Sequence, residues 1–134
     1  AAVLARIAAT VVTVERIDAL RERAEETLRR LGITNVRCLP AAISRDAPDA
    51  ARAPLGAPAE GPYNGIAVTA AAPAPPPSLL DQLRVGGRMV VPVGNRSHQD
   101  LLVVTRTAQG IQSRAITPCR FVPLIGVEGF AARP

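Results

Sequence analysis

Residues 11–40 read VVTVERIDALRERAEETLRRLGITNVRCLP, and the fold class turns on this stretch. TVVTVE, residues 10–15, is a short β-branched run with the composition of a strand buried on both faces. Asp18 is placed to cap the helix that follows. Leu20, Ala24, Leu28 and Leu31 recur at three- and four-residue spacing and form its expected buried stripe. Glu25–Arg29 and Glu26–Arg30 are spaced to pair at i,i+4 on the wet face. Gly32 supplies a left-handed stop, and ITNVRCLP is the next strand.

On the N-terminal side, residues 1–9 read as the end of an amphipathic helix with Val3, Leu4 and Ile7 on one face. On the other side, residues 40–62 lose all period and fill with Ala, Pro, Arg, Asp and Gly, an irregular Ala/Pro-rich loop. Order returns at Tyr63. NGIAVTAAAP is a strand, SLLDQL a short helix with Ser78 as N-cap and its end at Gly86–Gly87, and GRMVVPVG a strand whose carboxyl end Pro92 takes out of the ladder. QDLLVVTRT and GIQSRAITPCRFVPLI are two further strands joined at Ala108–Gln109–Gly110 as a hairpin. The order is helix, strand, helix, strand, loop, strand, helix and three strands. That order predicts a single α/β domain over residues 1–134, with an open, mostly parallel sheet and an antiparallel terminal hairpin.

Composition narrows the function. The chain is 48% hydrophobic, so it is no disordered tail. No apolar run reaches the ~18 residues that span a bilayer, and the first residues lack the layout of a secretory signal. The net charge of +5 rests wholly on Arg, as expected of a GC-rich coding sequence. Aromatic residues are limited to Tyr63, Phe121 and Phe130, too few for a base-stacking platform, so nucleic acid is not the expected partner. Cys38, Cys119 and His98 make no metal-site spacing, and two reduced thiols fit a cytoplasmic protein.

In an open α/β sheet, ligands bind outside the carboxyl ends of the strands. The positions concerned are Glu15–Arg16, Leu39–Ala42, Thr69–Pro73 and Pro92–Gly94. Glu15 is the sharpest of them. An acidic residue closing a strand before a helix is where nucleotide-binding sheets hold ribose, because a carboxylate accepts from both hydroxyls at once. A capping or surface acid looks the same in sequence. Position alone also leaves nicotinamide and S-adenosyl-L-methionine equally open.

VVTVERIDALRERAEETLRRLGITNV, PYNGIAVTAAAPAPPPSLLDQLRVGGRMVVPVG, QDLLVVTRT and FVPLIG occur in the order and wording of bacterial protein-L-isoaspartate O-methyltransferases. The chain resembles the C-terminal two-thirds of that family. The resemblance implies a Rossmann-like methyltransferase fold. It also implies transfer of a methyl group from S-adenosyl-L-methionine to the carboxylate of L-isoaspartyl residues in damaged proteins. A carboxylate is already ionised at neutral pH, so that chemistry asks for no general base. By the same resemblance Glu15 holds the ribose, with Arg16 beside the adenine edge. Ala70, Ala71 and Pro73 stand at the mouth where the peptide enters, and Val122, Pro123 and Leu124 line its groove. Ordinary strand-end packing explains the last two sets equally well.

Three departures from the family pattern qualify this reading. The family's GxGSG loop and the segment carrying its Ser/Thr contact to the reacting carboxylate both precede the residues matched here, so no catalytic residue is identifiable. A chain without the family's first strand, normally central, is expected to be unstable or self-associating and inactive alone. LPAAIS places Ala41 and Ala42 where the family has the Gly and Asp of a GDG motif. A local frameshift is one origin for that replacement. Alternatives to the repair enzyme are another methyltransferase on the same sheet, or a remnant of the fold without activity.

Overall fold

The computed structural model describes residues 1–41 and 55–131, in two compact units, Ala1–Glu60 and Gly61–Pro134. The part of the irregular loop that includes Ala42 lies outside the described residues, as does the stretch on which the frameshift reading rests.

The first unit is a strand–helix–strand. β1 (Val11–Glu15) and β2 (Val36–Pro40) pair in parallel, from Val11 opposite Val36 to Glu15 opposite Pro40. α1 (Asp18–Arg30) connects them. It stops as expected at Gly32, whose φ of 65° lets its N–H reach the Arg29 carbonyl while Ile33 N–H reaches that of Leu28. Its start differs. Ile17 is the N-cap and Asp18 the first helical residue, and the Asp18 carboxylate accepts from the Arg21 guanidinium rather than from the backbone. The ion pairs also differ. Glu25 pairs with Arg21 at 2.7 Å rather than with Arg29, and Glu26 pairs with Arg29 rather than with Arg30.

Burial in this unit is thinner than the apolar spacing predicts. Leu28 is buried, but Leu20, Ala24 and Leu31 are exposed. In β1 only Val11 is buried, and the remaining residues are half-buried. A two-stranded sheet is too narrow to cover the whole stripe of a 13-residue helix. The expected helix over residues 1–9 is one 3₁₀ turn, Leu4–Arg6, with Val3 79% and Ile7 80% exposed. Three residues form too short a run to present an amphipathic face.

The second unit is a four-stranded mixed sheet in the order β3 (Tyr63–Ala67), β4 (Leu83–Gly94), β5 (Gln99–Thr107), β6 (Gly110–Cys119). β3 and β4 are parallel, and β4–β5–β6 are antiparallel. The parallel pairs and the terminal hairpin are those the sequence predicts, but among the described residues the pairing falls into two sheets. β3 and β4 are joined through α2 (Pro77–Asp81). Pro76 is the N-cap and Pro77 the first helical residue, a position that needs no N–H. Ser78 is therefore inside the helix rather than its cap. The helix ends at Asp81, short of the Gly86–Gly87 pair, which falls within β4. There the β3–β4 register slips, from Tyr63 opposite Leu83 to Gly65 opposite Arg88. A Cβ on Gly87 would come within 2.9 Å of the Tyr63 carbonyl oxygen, so the close crossing requires glycine.

Pro92 does not leave the ladder. It pairs opposite Leu101, and its carbonyl accepts the Ala72 N–H at 3.0 Å. In a strand the nitrogen and carbonyl of one residue face the same side, so the missing N–H falls away from β5 and costs no β5 bond. The core of this unit gathers on one face of β4 and β5. Leu83, Met89, Val91 and Val104 are fully enclosed, with Leu79 of α2 against them.

Candidate functional site

The first unit brings Glu15 to the carboxyl end of β1, level with the end of β2. The Glu15 main-chain carbonyl accepts the Ala41 N–H at 3.0 Å. Its side chain is half-buried. Oε1 accepts the Ile17 N–H at 2.9 Å, which turns the carboxylate toward the start of α1. Oε2 carries no hydrogen bond from the described residues and is free to accept from a ligand. Arg16 is exposed and pairs with no described acid.

This geometry meets one requirement of a ribose site, an oriented carboxylate with a free oxygen at a strand end. At the end of the neighbouring strand Ala41 stands where the resemblance expects the Gly–Asp pair of the motif to begin, and Ala42, in the place of the Asp, lies outside the described residues. Among the described residues, no three His, Cys, Asp or Glu side chains are grouped to hold a metal ion.

The second unit brings together the two segments named from sequence as a peptide mouth. Ala71 lies opposite Pro123 as an isolated parallel bridge. The Ala71 N–H donates to the Val122 carbonyl at 2.8 Å, and the Ala71 carbonyl accepts the Leu124 N–H at 2.7 Å. Ala72 bridges Val93 in the same way, so Thr69–Pro73 and Pro92–Gly94 also meet. Ala71 and Ala72 are fully buried, while Ala70 is half-buried and Pro73 exposed. On the other side Val122 is 69% exposed, and Pro123 and Leu124 are half-buried. The result is a small-residue floor, set by Ala71, beside an accessible apolar rim at Val122.

Four residues not singled out from sequence make long-range bonds around this rim and α2. Gln99 is buried; its Oε1 accepts the Phe121 N–H at 2.7 Å and its Nε2 donates to the Phe121 carbonyl at 3.3 Å. Arg96 donates to the Ala131 carbonyl at 2.6 Å and lies 5.0 Å from the centre of the Phe130 ring. Glu128 accepts from Ser78, and Arg106 donates to the carbonyls of Leu80, Asp81 and Leu83. Arg96 and Gln99 stand in the polar run Asn95–Asp100 and Arg106 between two threonines, and the bonds just described reach 22 to 50 positions along the chain. No local spacing signals such a bond.

The family model for protein-L-isoaspartate(D-aspartate) O-methyltransferase matches residues 1–129. A protein-L-isoaspartate O-methyltransferase of Methanoregula boonei is 43% identical over 130 residues, 97% of this chain and 55% of that protein. One from Hyperthermus butylicus is 45% identical over 121 residues, 90% of this chain and 46% of the other. The chain thus spans about half the length of these curated relatives. Among solved structures, a protein-L-isoaspartate O-methyltransferase superposes with a TM-score of 0.70 at 28% identity, covering 90% of this chain and 35% of that one. A Plasmodium falciparum structure described as this enzyme in complex with S-adenosyl-L-homocysteine has a TM-score of 0.65 at 24% identity. That match covers 84% of this chain and 51% of that one, and it bears on the fold alone.

Proposed function

Because this chain belongs to the protein-L-isoaspartate(D-aspartate) O-methyltransferase family, we propose that it serves methyl transfer from S-adenosyl-L-methionine to the carboxylate of L-isoaspartyl residues in damaged proteins. We take residues 1–134 to be part of one methyltransferase domain, because the family match runs through both units. The observation that carries the reading is the meeting of Ala71 with Val122–Leu124, the two segments whose wording the family shares.

The donor, when bound, supplies a methyl group on a sulfonium, an activated leaving group. The residues of this chain have a binding and orienting task. The Glu15 carboxylate, steered by Ile17 N–H, receives the ribose hydroxyls, with exposed Arg16 at the adenine edge. The rim at Val122, Pro123 and Leu124 holds the peptide backbone, and the mouth at Ala70, Ala71 and Pro73 admits the extended isoaspartyl linkage. Small side chains there let the substrate backbone approach closely. The acceptor carboxylate is ionised at neutral pH, so the rate depends on alignment of oxygen and methyl at roughly 3–3.5 Å. The free thiols of Cys38 and Cys119 suit a reducing compartment, and we place the protein in the cytoplasm.

One observation favours a second reading. In the sequence Ala42 stands where the resemblance expects the Asp that accepts from the adenine amine, which fits a remnant that no longer holds the donor. A direct test measures methyl transfer to an isoaspartyl peptide and to its aspartyl counterpart. It uses the chain alone and the chain supplied with the part of the Methanoregula boonei relative outside the match. Labelling of the isoaspartyl peptide alone, in the supplemented sample, is the expected result. Equal labelling of both peptides points to a different methyltransferase. No binding of S-adenosyl-L-homocysteine in either sample supports the remnant.

A further inference from the structure

We propose that Glu128 is a positioning residue: with Ser78 it forms a latch that sets the spacing between Ala71 and Val122–Leu124, and thereby the affinity for peptide. The role in binding rests on the functional reading above; the latch itself does not.

α2 has five residues, too few to persist by its own hydrogen bonds. Side chains from distant parts of the chain hold both of its ends. At the N-terminus the Glu128 carboxylate accepts the Ser78 N–H at 3.2 and 3.3 Å and the Ser78 hydroxyl at 2.6 Å. At the C-terminus Arg106 donates to the carbonyls of Leu80, Asp81 and Leu83 at 3.0–3.2 Å. Each charge has the sign that complements the helix dipole.

The latch closes a ring. From Ala71 the chain runs through Pro76 and Pro77 into Ser78, and from Pro123 it runs to Glu128. Ala71–Pro123 is one tie between these two arms, and Ser78–Glu128 is the other. Residues 124–130 form a tight loop that presents Glu128. Phe130 N–H donates to the Leu124 carbonyl at 2.7 Å, and Gly126 N–H donates to that of Phe130 at 3.2 Å. The β4–β5–β6 ladders and the core around Met89, Val91 and Val104 do not pass through this ring. Its release therefore loosens the mouth while the sheet stands.

The test uses the chain supplied with the part of the Methanoregula boonei relative outside the match, as wild type and as its E128A, E128Q and S78A variants, with amide hydrogen exchange, thermal melting and binding of a fluorescent isoaspartyl peptide. In E128A and S78A, exchange is expected to speed up at the Ala71 and Leu124 amides, while the paired amides of β4 and β5 keep their protection. Peptide affinity is expected to fall about tenfold in E128A. E128Q, which keeps an acceptor oxygen, is expected to recover part of that loss. Unchanged exchange at Ala71 and Leu124 in both E128A and S78A overturns the latch. Loss of protection throughout β4 and β5 in E128A overturns it as well, since the residue then supports the fold at large. A supplemented wild-type chain that binds no isoaspartyl peptide overturns the role in binding together with the functional reading, and the exchange pattern still decides the latch.

Discussion

Ala71 and Pro123 stand opposite each other as a parallel bridge, and the hydrogen bonds of that bridge are all made by the backbone of Ala71. A fully buried alanine thereby carries an exposed rim whose leading residue is Val122. The floor and the rim move together, and several predictions rest on that dependence.

Replacing Ala71 by Val adds two methyl groups where no space remains. The expected cost is about 1–3 kcal/mol of stability. Peptide affinity should fall as well, because the rim is displaced. Urea denaturation and peptide titration read the two effects separately. Full retention of both would show that the floor yields without consequence.

Gly129→Ala tests the loop behind the rim. A Cβ at this position would sit 2.2 Å from the Leu124 carbonyl oxygen, and that oxygen already accepts the Phe130 N–H. Backbone must shift to make room. A loss of about 1–3 kcal/mol and faster exchange of the Phe130 amide are expected. A variant melting at the wild-type temperature would count against the packing described for residues 124–130.

Met89 and Val104 face each other across β4 and β5, both fully buried. Met89→Ala is expected to cost about 2–5 kcal/mol, through lost burial and the cavity left behind. Equilibrium unfolding gives the value directly. A cost under roughly 1 kcal/mol would mean that the core lies elsewhere.

Cys38 offers a pH-dependent check on the first unit. Burial pushes its thiol above the ordinary value, the Glu25 charge adds to that rise, and Arg21 opposes it. A thiol raised in the folded state keeps its proton after the unfolded chain has lost it. Its contribution to stability is therefore present below the ordinary thiol range and is lost as pH rises through that range to the raised value. Alkylation of Cys38, followed by mass spectrometry, should be slow near neutral pH and accelerate only in alkali. Glu25→Gln should speed it. Fast alkylation of Cys38 at neutral pH would contradict the burial.

Much of the element order was legible because each element carries a local signal. The β-branched run before Glu15, the Gly32 stop and the Ala108–Gln109–Gly110 turn all act over a few residues, and all three appear where expected. Burial was less legible. Leu20, Ala24 and Leu31 have the spacing of a buried stripe, but spacing does not report how wide a sheet lies beneath it. Caps were misplaced at Asp18 and Ser78 for a related reason. The Asp18 carboxylate is taken by Arg21, the Pro76–Pro77 pair starts α2 ahead of Ser78, and Ser78 is claimed by Glu128 from 50 positions away. The peptide mouth was legible only as family wording. That its two segments touch comes from the fold.

In the function proposed above, Glu15 marks a donor site and Ala71–Leu124 a peptide site. Amide-resolved NMR titration of the supplemented chain tests it most directly, first with S-adenosyl-L-homocysteine and then with an isoaspartyl peptide. The first ligand is expected to shift the Ile17 and Ala41 amides and the second those of Ala71 and Leu124. Glu15→Gln should weaken the first by roughly 10- to 100-fold and leave the Ala71 and Leu124 amides in place. Shifts at neither pair, or binding of S-adenosyl-L-homocysteine unaltered by Glu15→Gln, would contradict it.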